Sequence, residues 1–85
     1  MRIQLLRTFL VCADLRNFLL AAERLVYSES TIGYQIRVLE KSLGAQLFTR
    51  ANSHRELTTA GRAILRPSIE LLRSVDEMTN VVKSL

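Results

Sequence analysis

Between positions 28 and 37 the chain sets two hydroxyls, a carboxylate, a glycine, a phenol and a guanidinium at spacings that gather them on one side of a helix. They are Ser28, Glu29, Ser30, Gly33, Tyr34 and Arg37, with Gln35 at the flank. Their chemistry is recognition of a polyanion. A helix N-terminus presents unpaired N–H groups and partial positive charge, and Ser28 adds a hydroxyl, which together make a seat for phosphate. Ser28 can equally do no more than cap its own helix. The carboxylate of Glu29 can accept from the amino group of cytosine, or it only repels phosphates. Tyr34 offers its ring to a thymine methyl or its hydroxyl to a phosphate, or stands idle in solvent. Arg37 can reach phosphate or guanine, or pair with Glu40. Gly33 costs about 1 kcal/mol relative to Ala inside a helix. Close approach of bare backbone to a partner explains that cost, and so does drift.

Catalysis finds little to work with. The three glycines at 33, 44 and 61 are isolated, so no phosphate-cradling loop exists. One His and one Cys make no metal set. Asp76 and Glu77 fall on the wet side of a helix. No enzyme and no cofactor is expected of these residues.

Several elements must position that face. Leu6, Phe9, Leu10 and Ala13, with Ile3 a turn earlier, predict a first helix over residues 3–14, with Arg2, Arg7 and Thr8 away from its apolar side. Cys12 near its inner edge reads as a small core residue. Asn17 is a plausible N-cap for a second helix from Phe18 to Leu25, buried through Phe18, Ala21, Ala22 and Leu25. Its paired alanines let a neighbouring helix come close. Ser28 caps a third helix with an inward stripe of Ile32, Ile36, Leu39 and Leu43, closed by Lys41 in the last turn and Gly44 beyond it. Only Val26 and Tyr27 separate helix two from that cap. Helices joined so tightly cannot lie antiparallel side by side; they cross steeply, as in a helix-turn-helix.

Residues 45–50 alternate weakly, and a polar run from Ala51 to Glu56 leads to Glu56-Leu57. A short strand, a turn and a returning strand predict a small β-hairpin, a wing over about residues 46–57. Ser53, His54 and Arg55 then occupy its tip, within reach of an adjacent minor groove or its phosphates. His54 reads otherwise as an ordinary exposed polar residue.

Thr58 caps a last helix running to the end of the chain. Ile64, Leu71, Met78 and Leu85 repeat by sevens, Ser68, Val75 and Val82 lie four further on, and Leu65 and Leu72 one step round. This is a pairing seam of about three heptads, with a kink expected at Pro67. The expected homodimer interface is Ile64, Leu65, Leu71, Leu72, Val75, Met78, Val82 and Leu85. A helix of this length exceeds what so small a body can cover; lying on its own core is the other reading.

At 85 residues, with 48% apolar and only five aromatic side chains, the chain is one small domain with a modest core. It excludes a two-lobed enzyme, and its hydrophobicity argues against disorder. Residues 1–66 hold ten basic and five acidic side chains, and residues 67–85 hold two and three. A basic body with a near-neutral tail fits a polyanion for the former and a protein for the latter. Ten of the twelve cations are Arg. The longest apolar runs, five residues each, are far from the ~20 that span a membrane, and a signal peptide fails for the same reason. The lone Cys12 fits a reducing compartment, the cytoplasm.

The combination of Leu6, Phe9, Ala21-Ala22-Glu23-Arg24-Leu25, Ser28, Gln35-Ile36-Arg37, Leu39-Glu40, Leu43-Gly44, Leu47-Phe48, Arg50, Leu57-Thr58 and Ala60-Gly61 resembles the LysR-type bacterial transcriptional regulators. The resemblance implies a mainly α fold: a winged helix-turn-helix over residues 1–58, with the helix-turn-helix at about 18–37, and a linker helix over 59–85 through which two subunits pair. It implies sequence-specific binding of double-stranded DNA, and a DNA-backbone contact for Arg50. It also implies a larger C-terminal domain that senses a small-molecule effector, making this chain a DNA-binding fragment. At Glu29, Ser30, Gly33 and Tyr34 the chain departs from the family's usual residues, so base preference does not carry over. The competing reading is a helical protein-interaction module that dimerises without touching DNA.

Overall fold

Three short polar side chains start helices in this fold. Asn17 Oδ1 accepts the Leu20 N–H at 3.0 Å, Ser28 Oγ accepts the Thr31 N–H at 3.1 Å, and Thr58 Oγ1 accepts the Gly61 N–H at 3.0 Å. Each such cap is worth about 1 kcal/mol. A computed structural model describes residues 1–51 and 54–85, with the backbone alone at Arg50 and Ala51. The elements are α1 (Ile3–Leu15), α2 (Phe18–Leu25), α3 (Glu29–Leu43), β1 (Phe48–Ala51), β2 (His54–Leu57), α4 (Thr59–Ala63) and α5 (Leu65–Lys83). The first three helices end in left-handed residues, Arg16 (φ 54°), Val26 (φ 60°) and Gly44 (φ 74°).

The core sits where α1, α2 and α3 meet. Phe9 and Cys12 from α1, Ala21 and Ala22 from α2, and Ile32, Ile36 and Leu39 from α3 are buried together. Ala21 and Ala22 leave little between α2 and its neighbours, which permits the steep crossing. Leu47 and Phe48 close the core from below, and Phe48 meets two rings: Phe9 at 5.6 Å and, edge-on, Phe18 at 5.4 Å between centroids. Thr8, expected away from the apolar side, is instead fully buried, its hydroxyl donating to Gln35 Oε1 on α3. Leu43 departs the other way. At the end of α3 it is exposed, on the rim of an apolar groove of about 200 Å³ shared with Met1, Leu6, Ile64, Pro67 and Leu71.

Isolated two-stranded hairpins are marginal, and this one is tied down. β1 and β2 pair antiparallel, Phe48 opposite Leu57 and Arg50 opposite Arg55. The Leu47 N–H donates to Glu40 Oε2 at 2.7 Å, and the Arg55 N–H to the Arg16 carbonyl at 2.8 Å.

The last helix is not one rod kinked at Pro67. The break comes at Ile64 (φ −94°, ψ 0°), one turn earlier, and Pro67 falls in the first turn of α5. A proline ring clashes with the carbonyl four residues before it, here Ala63, and in a first turn its missing N–H costs nothing. The first half of α5 packs on α1. Leu72, 9% exposed, belongs with Ser68 to this chain's own interior, which corrects its assignment to the pairing seam. Ile64, Leu65 and Val75 are half-buried. Beyond them Leu71, Met78 (62% exposed), Val82 (68%) and Leu85 stand in solvent, joined by Ile69 and Val81, which the heptad reading left out.

Candidate nucleic-acid interface

Because Ile32, Ile36 and Leu39 spend the inward side of α3, its opposite side faces solvent. Glu29, Ser30, Tyr34 (57% exposed) and Arg37 are all exposed there, and Gly33 is partly so. No described residue walls this face in. At its N-terminal end three hydroxyls cluster: Ser28 Oγ lies 2.9 Å from Thr31 Oγ1 and 3.1 Å from Ser30 Oγ. They surround the partly positive helix start. Gln35 lies at the flank as expected, with its carboxamide oxygen committed to Thr8.

At Gly33 a Cβ would meet Arg37 Nη1 at 3.3 Å. The space that the glycine leaves open is therefore claimed within the chain, by the guanidinium one turn further on. Arg37 lines a hollow of about 230 Å³ between α3 and the hairpin, together with Gly33, Phe18, Glu40, Phe48 and Arg55.

The hairpin departs from expectation at Arg55. Its guanidinium does not extend from a tip; it lies 4.1 Å over the ring of Phe18. The reason is strand alternation, which sends residues 55 and 57 to the same face. Leu57 packs on the core, so Arg55 turns inward with it. His54 and Glu56 take the other face, His54 Nε2 lying 2.9 Å from Glu56 Oε1. Arg50 stands opposite Arg55 in the ladder by its backbone; its side chain and Ser53 lie outside the described residues.

Cys12 is buried, and desolvation pushes its thiol up to about 12, against a smaller opposing influence of Arg55. Among the described residues no three His, Cys, Asp or Glu side chains converge on a point that could hold a metal. No helix among them is long and apolar enough to cross a membrane.

Three helices with the third capped and bare outward, a tethered hairpin and a protruding last helix make a winged helix-turn-helix with an appended helix. Residues 3–62 match the family described as "Bacterial regulatory helix-turn-helix protein, lysR family". The chain belongs to the lysR family. The LysR-family regulator IlvR of Caulobacter vibrioides is 39% identical over all 85 residues, and this chain spans 29% of its length. HdfR of Shigella boydii is 44% identical over 71 residues, 84% of this chain and 25% of that protein. Both are named as HTH-type transcriptional regulators, not enzymes. Among solved LysR-family folds, the CbnR DNA-binding domain in complex with DNA superposes with a TM-score of 0.93 at 31% identity, covering 99% of this chain and 97% of that one. The BenM DNA-binding domain with catB site 1 DNA gives 0.93 at 31%, covering 99% and 94%. In this LysR-family chain, sequence reasoning did not anticipate the Thr8–Gln35 bond, the Glu40 anchor of the hairpin or the inward Arg55. Only the last had an available signal, its even spacing from Leu57.

Proposed function

We propose that residues 1–58 bind double-stranded DNA in a sequence-specific way to regulate bacterial transcription, with α3 in the major groove and the hairpin beside the neighbouring minor groove. The observation that carries this is the exposed N-terminal half of α3, where Glu29, Ser30, Tyr34 and Arg37 stand free on a helix whose apolar side is fully spent. The DNA complexes of CbnR and BenM, which share the fold along the whole chain, support it. Ser28 and Arg50 hold backbone phosphates in this reading. Glu29, Ser30, Gly33, Tyr34 and Gln35 border the bases, and Ser53 and His54 lie over the minor groove.

Residues 59–85 act as the linker through which two copies pair. The exposed stripe Leu71, Met78, Val82 and Leu85 runs into the apolar groove beside Leu43, so a second α5 covers both at once. A twofold pair then reads a dyad-related site with half-sites about one helical turn apart, or a multiple of it. Effector sensing belongs to the larger C-terminal domain of the family, not to residues 1–85. In this reading the protein works in the cytoplasm, where its DNA partner lies.

Selection of bound duplexes from a random pool, followed by titration at several salt concentrations, tests the proposal. Binding should recover a dyad-related sequence and weaken linearly on a log–log salt plot, each neutralised phosphate adding about 0.9 to the slope. A chain that dimerises yet enriches no duplex is instead a protein-interaction module.

A further inference from the structure

Resting on the DNA-binding reading, we propose that Thr8 sets the hydrogen-bond polarity of Gln35, holding its carboxamide as a donor to oxygen acceptors on DNA and barring it from adenine. Thr8 lies inside the domain on α1. It is a positioning residue that acts only through Gln35.

A buried hydroxyl needs a partner. Thr8 is fully buried, and its Oγ1 donates to Gln35 Oε1 where α1 meets α3. A carboxamide has an acceptor end and a donor end, so fixing one aims the other. With Oε1 turned toward α1, Nε2 is the end left for the outer side of α3. Gln35 itself is half-buried, and among the described residues no buried side-chain nitrogen or oxygen lacks a partner. Nε2 makes no bond of its own within those residues, so its two N–H groups meet solvent. Gln35 thus brings a fixed pair of donors to the edge of the face that Tyr34 and Arg37 expose.

Specificity follows from which end is free. Reading adenine takes both ends at once, the oxygen accepting from N6 and the nitrogen donating to N7. An oxygen held against an interior hydroxyl cannot face the same base edge as its own nitrogen. Donors alone suit the keto oxygens, guanine O6 and thymine O4, and phosphate oxygens equally, and they are mismatched to the amino groups of adenine and cytosine. Holding the side chain in place before DNA arrives also reduces the entropy lost on binding.

The test selects duplexes from a random pool with the parent chain, Thr8→Val, Thr8→Ser and Gln35→Ala, then replaces each phosphate of the chosen duplex by a neutral methylphosphonate. Gln35→Ala should lose one feature per half-site. For a base contact this is a preference for guanine or thymine over adenine and cytosine; for a backbone contact it is sensitivity to one phosphate. At a base contact, Thr8→Val should admit adenine, narrowing the preference about tenfold, the share of one two-bond base contact. At a phosphate it should blunt the sensitivity at that position. Thr8→Ser, which restores the hydroxyl, should behave as the parent. Thr8→Val combined with Gln35→Ala should match Gln35→Ala alone, because the two residues act as a unit. Thermal unfolding accompanies each variant. If Thr8→Val fails to fold, Gln35→Glu reads the site instead: it keeps an acceptor for Thr8, removes both donors, and should lose the same feature. A Thr8→Val protein that folds and either selects and binds as the parent does or weakens evenly at every position would overturn the proposal. So would a Gln35→Glu protein that retains the feature, or a parent whose Gln35-dependent preference is for adenine. A chain that selects no duplex overturns the DNA-binding reading itself, a distinct result.

Discussion

Gly61 in α4 sits directly against the carbonyl of Leu47, so closely that an added Cβ would overlap that oxygen and stand 2.8 Å from Leu57 Cδ2. Thr58 reinforces the contact, its N–H donating to the Leu47 carbonyl at 3.0 Å and its hydroxyl to the Gln46 carbonyl at 2.6 Å. The start of α4 is thus bolted to the segment that feeds the hairpin. A flexible side chain could move aside, but a backbone carbonyl cannot. Gly61→Ala should destabilise the fold by about 1–3 kcal/mol, the usual cost of overpacking. A melting curve at fixed protein concentration checks this; an unchanged midpoint would show that the segment can yield.

Val26 carries strain that burial of its side chain does not offset, although backbone bonds close the helix around it, the Tyr27 N–H donating to the Ala22 carbonyl at 2.9 Å. It occupies the left-handed region at φ 60° and its side chain is 87% exposed. A β-branched residue there is a steric outlier. Val26→Asn should raise stability by about 1 kcal/mol, or about 4–8 °C in melting midpoint for a domain of this size. Val26→Gly should gain less, because glycine loses more freedom on folding. Equal midpoints for all three proteins would refute the strain.

The parts of the fold legible in the sequence were those governed by neighbours along the chain. Asn17, Ser28 and Thr58 cap helices because a cap needs only the next three residues. What escaped depends on distant partners. Thr8 looks like a surface residue until Gln35, 27 positions away, supplies its hydrogen bond. Leu72 and Met78 fit one heptad pattern, yet only the crossing of α5 over α1 decides that the former is interior and the latter free. Along the candidate interface, Tyr34 and Arg37 followed from the apolar stripe of α3, while the room at Gly33 became intelligible only with the Arg37 guanidinium in place.

Burial raises the Cys12 thiol to about 12 from an ordinary value of 9.0. The unfolded chain therefore releases this proton first as pH rises. Its contribution to stability is intact below pH 9 and is lost progressively between pH 9 and 12, at up to about 1.4 kcal/mol per unit. Chemical unfolding at pH 8 and 10.5 should show a larger drop for the parent chain than for Cys12→Ala, by about 2 kcal/mol. A thiol reagent should label the native protein only as fast as it opens. Immediate labelling at pH 8 would contradict the burial.

Glu29 lies in the first turn of α3, where a negative charge favours the helix by about 0.3–1 kcal/mol. Glu29→Gln should cost only a few tenths of a kcal/mol in stability, yet remove a carboxylate from beside the phosphates. Affinity for unrelated duplexes should rise, and selection from a random pool should show altered tolerance at one base pair per half-site. An unchanged base preference would remove Glu29 from the residues that read sequence.

The proposed pairing is the step on which a dyad-related site depends, and in that proposal Met78 and Val82 are its exposed centre. They share one side of α5, are largely exposed and lie outside the buried core, so changing them does not touch it. Glutamate at both places sets like charges against each other across a twofold interface and removes apolar area worth about 25 cal/mol per Å² buried. Met78→Glu with Val82→Glu should sediment as a monomer at concentrations where the parent is a dimer. Helical content should hold, and affinity for the full selected site should fall far more than affinity for one half-site, because linked binding is lost. If the doubly substituted chain remained dimeric, the pairing surface would have to lie elsewhere on the molecule.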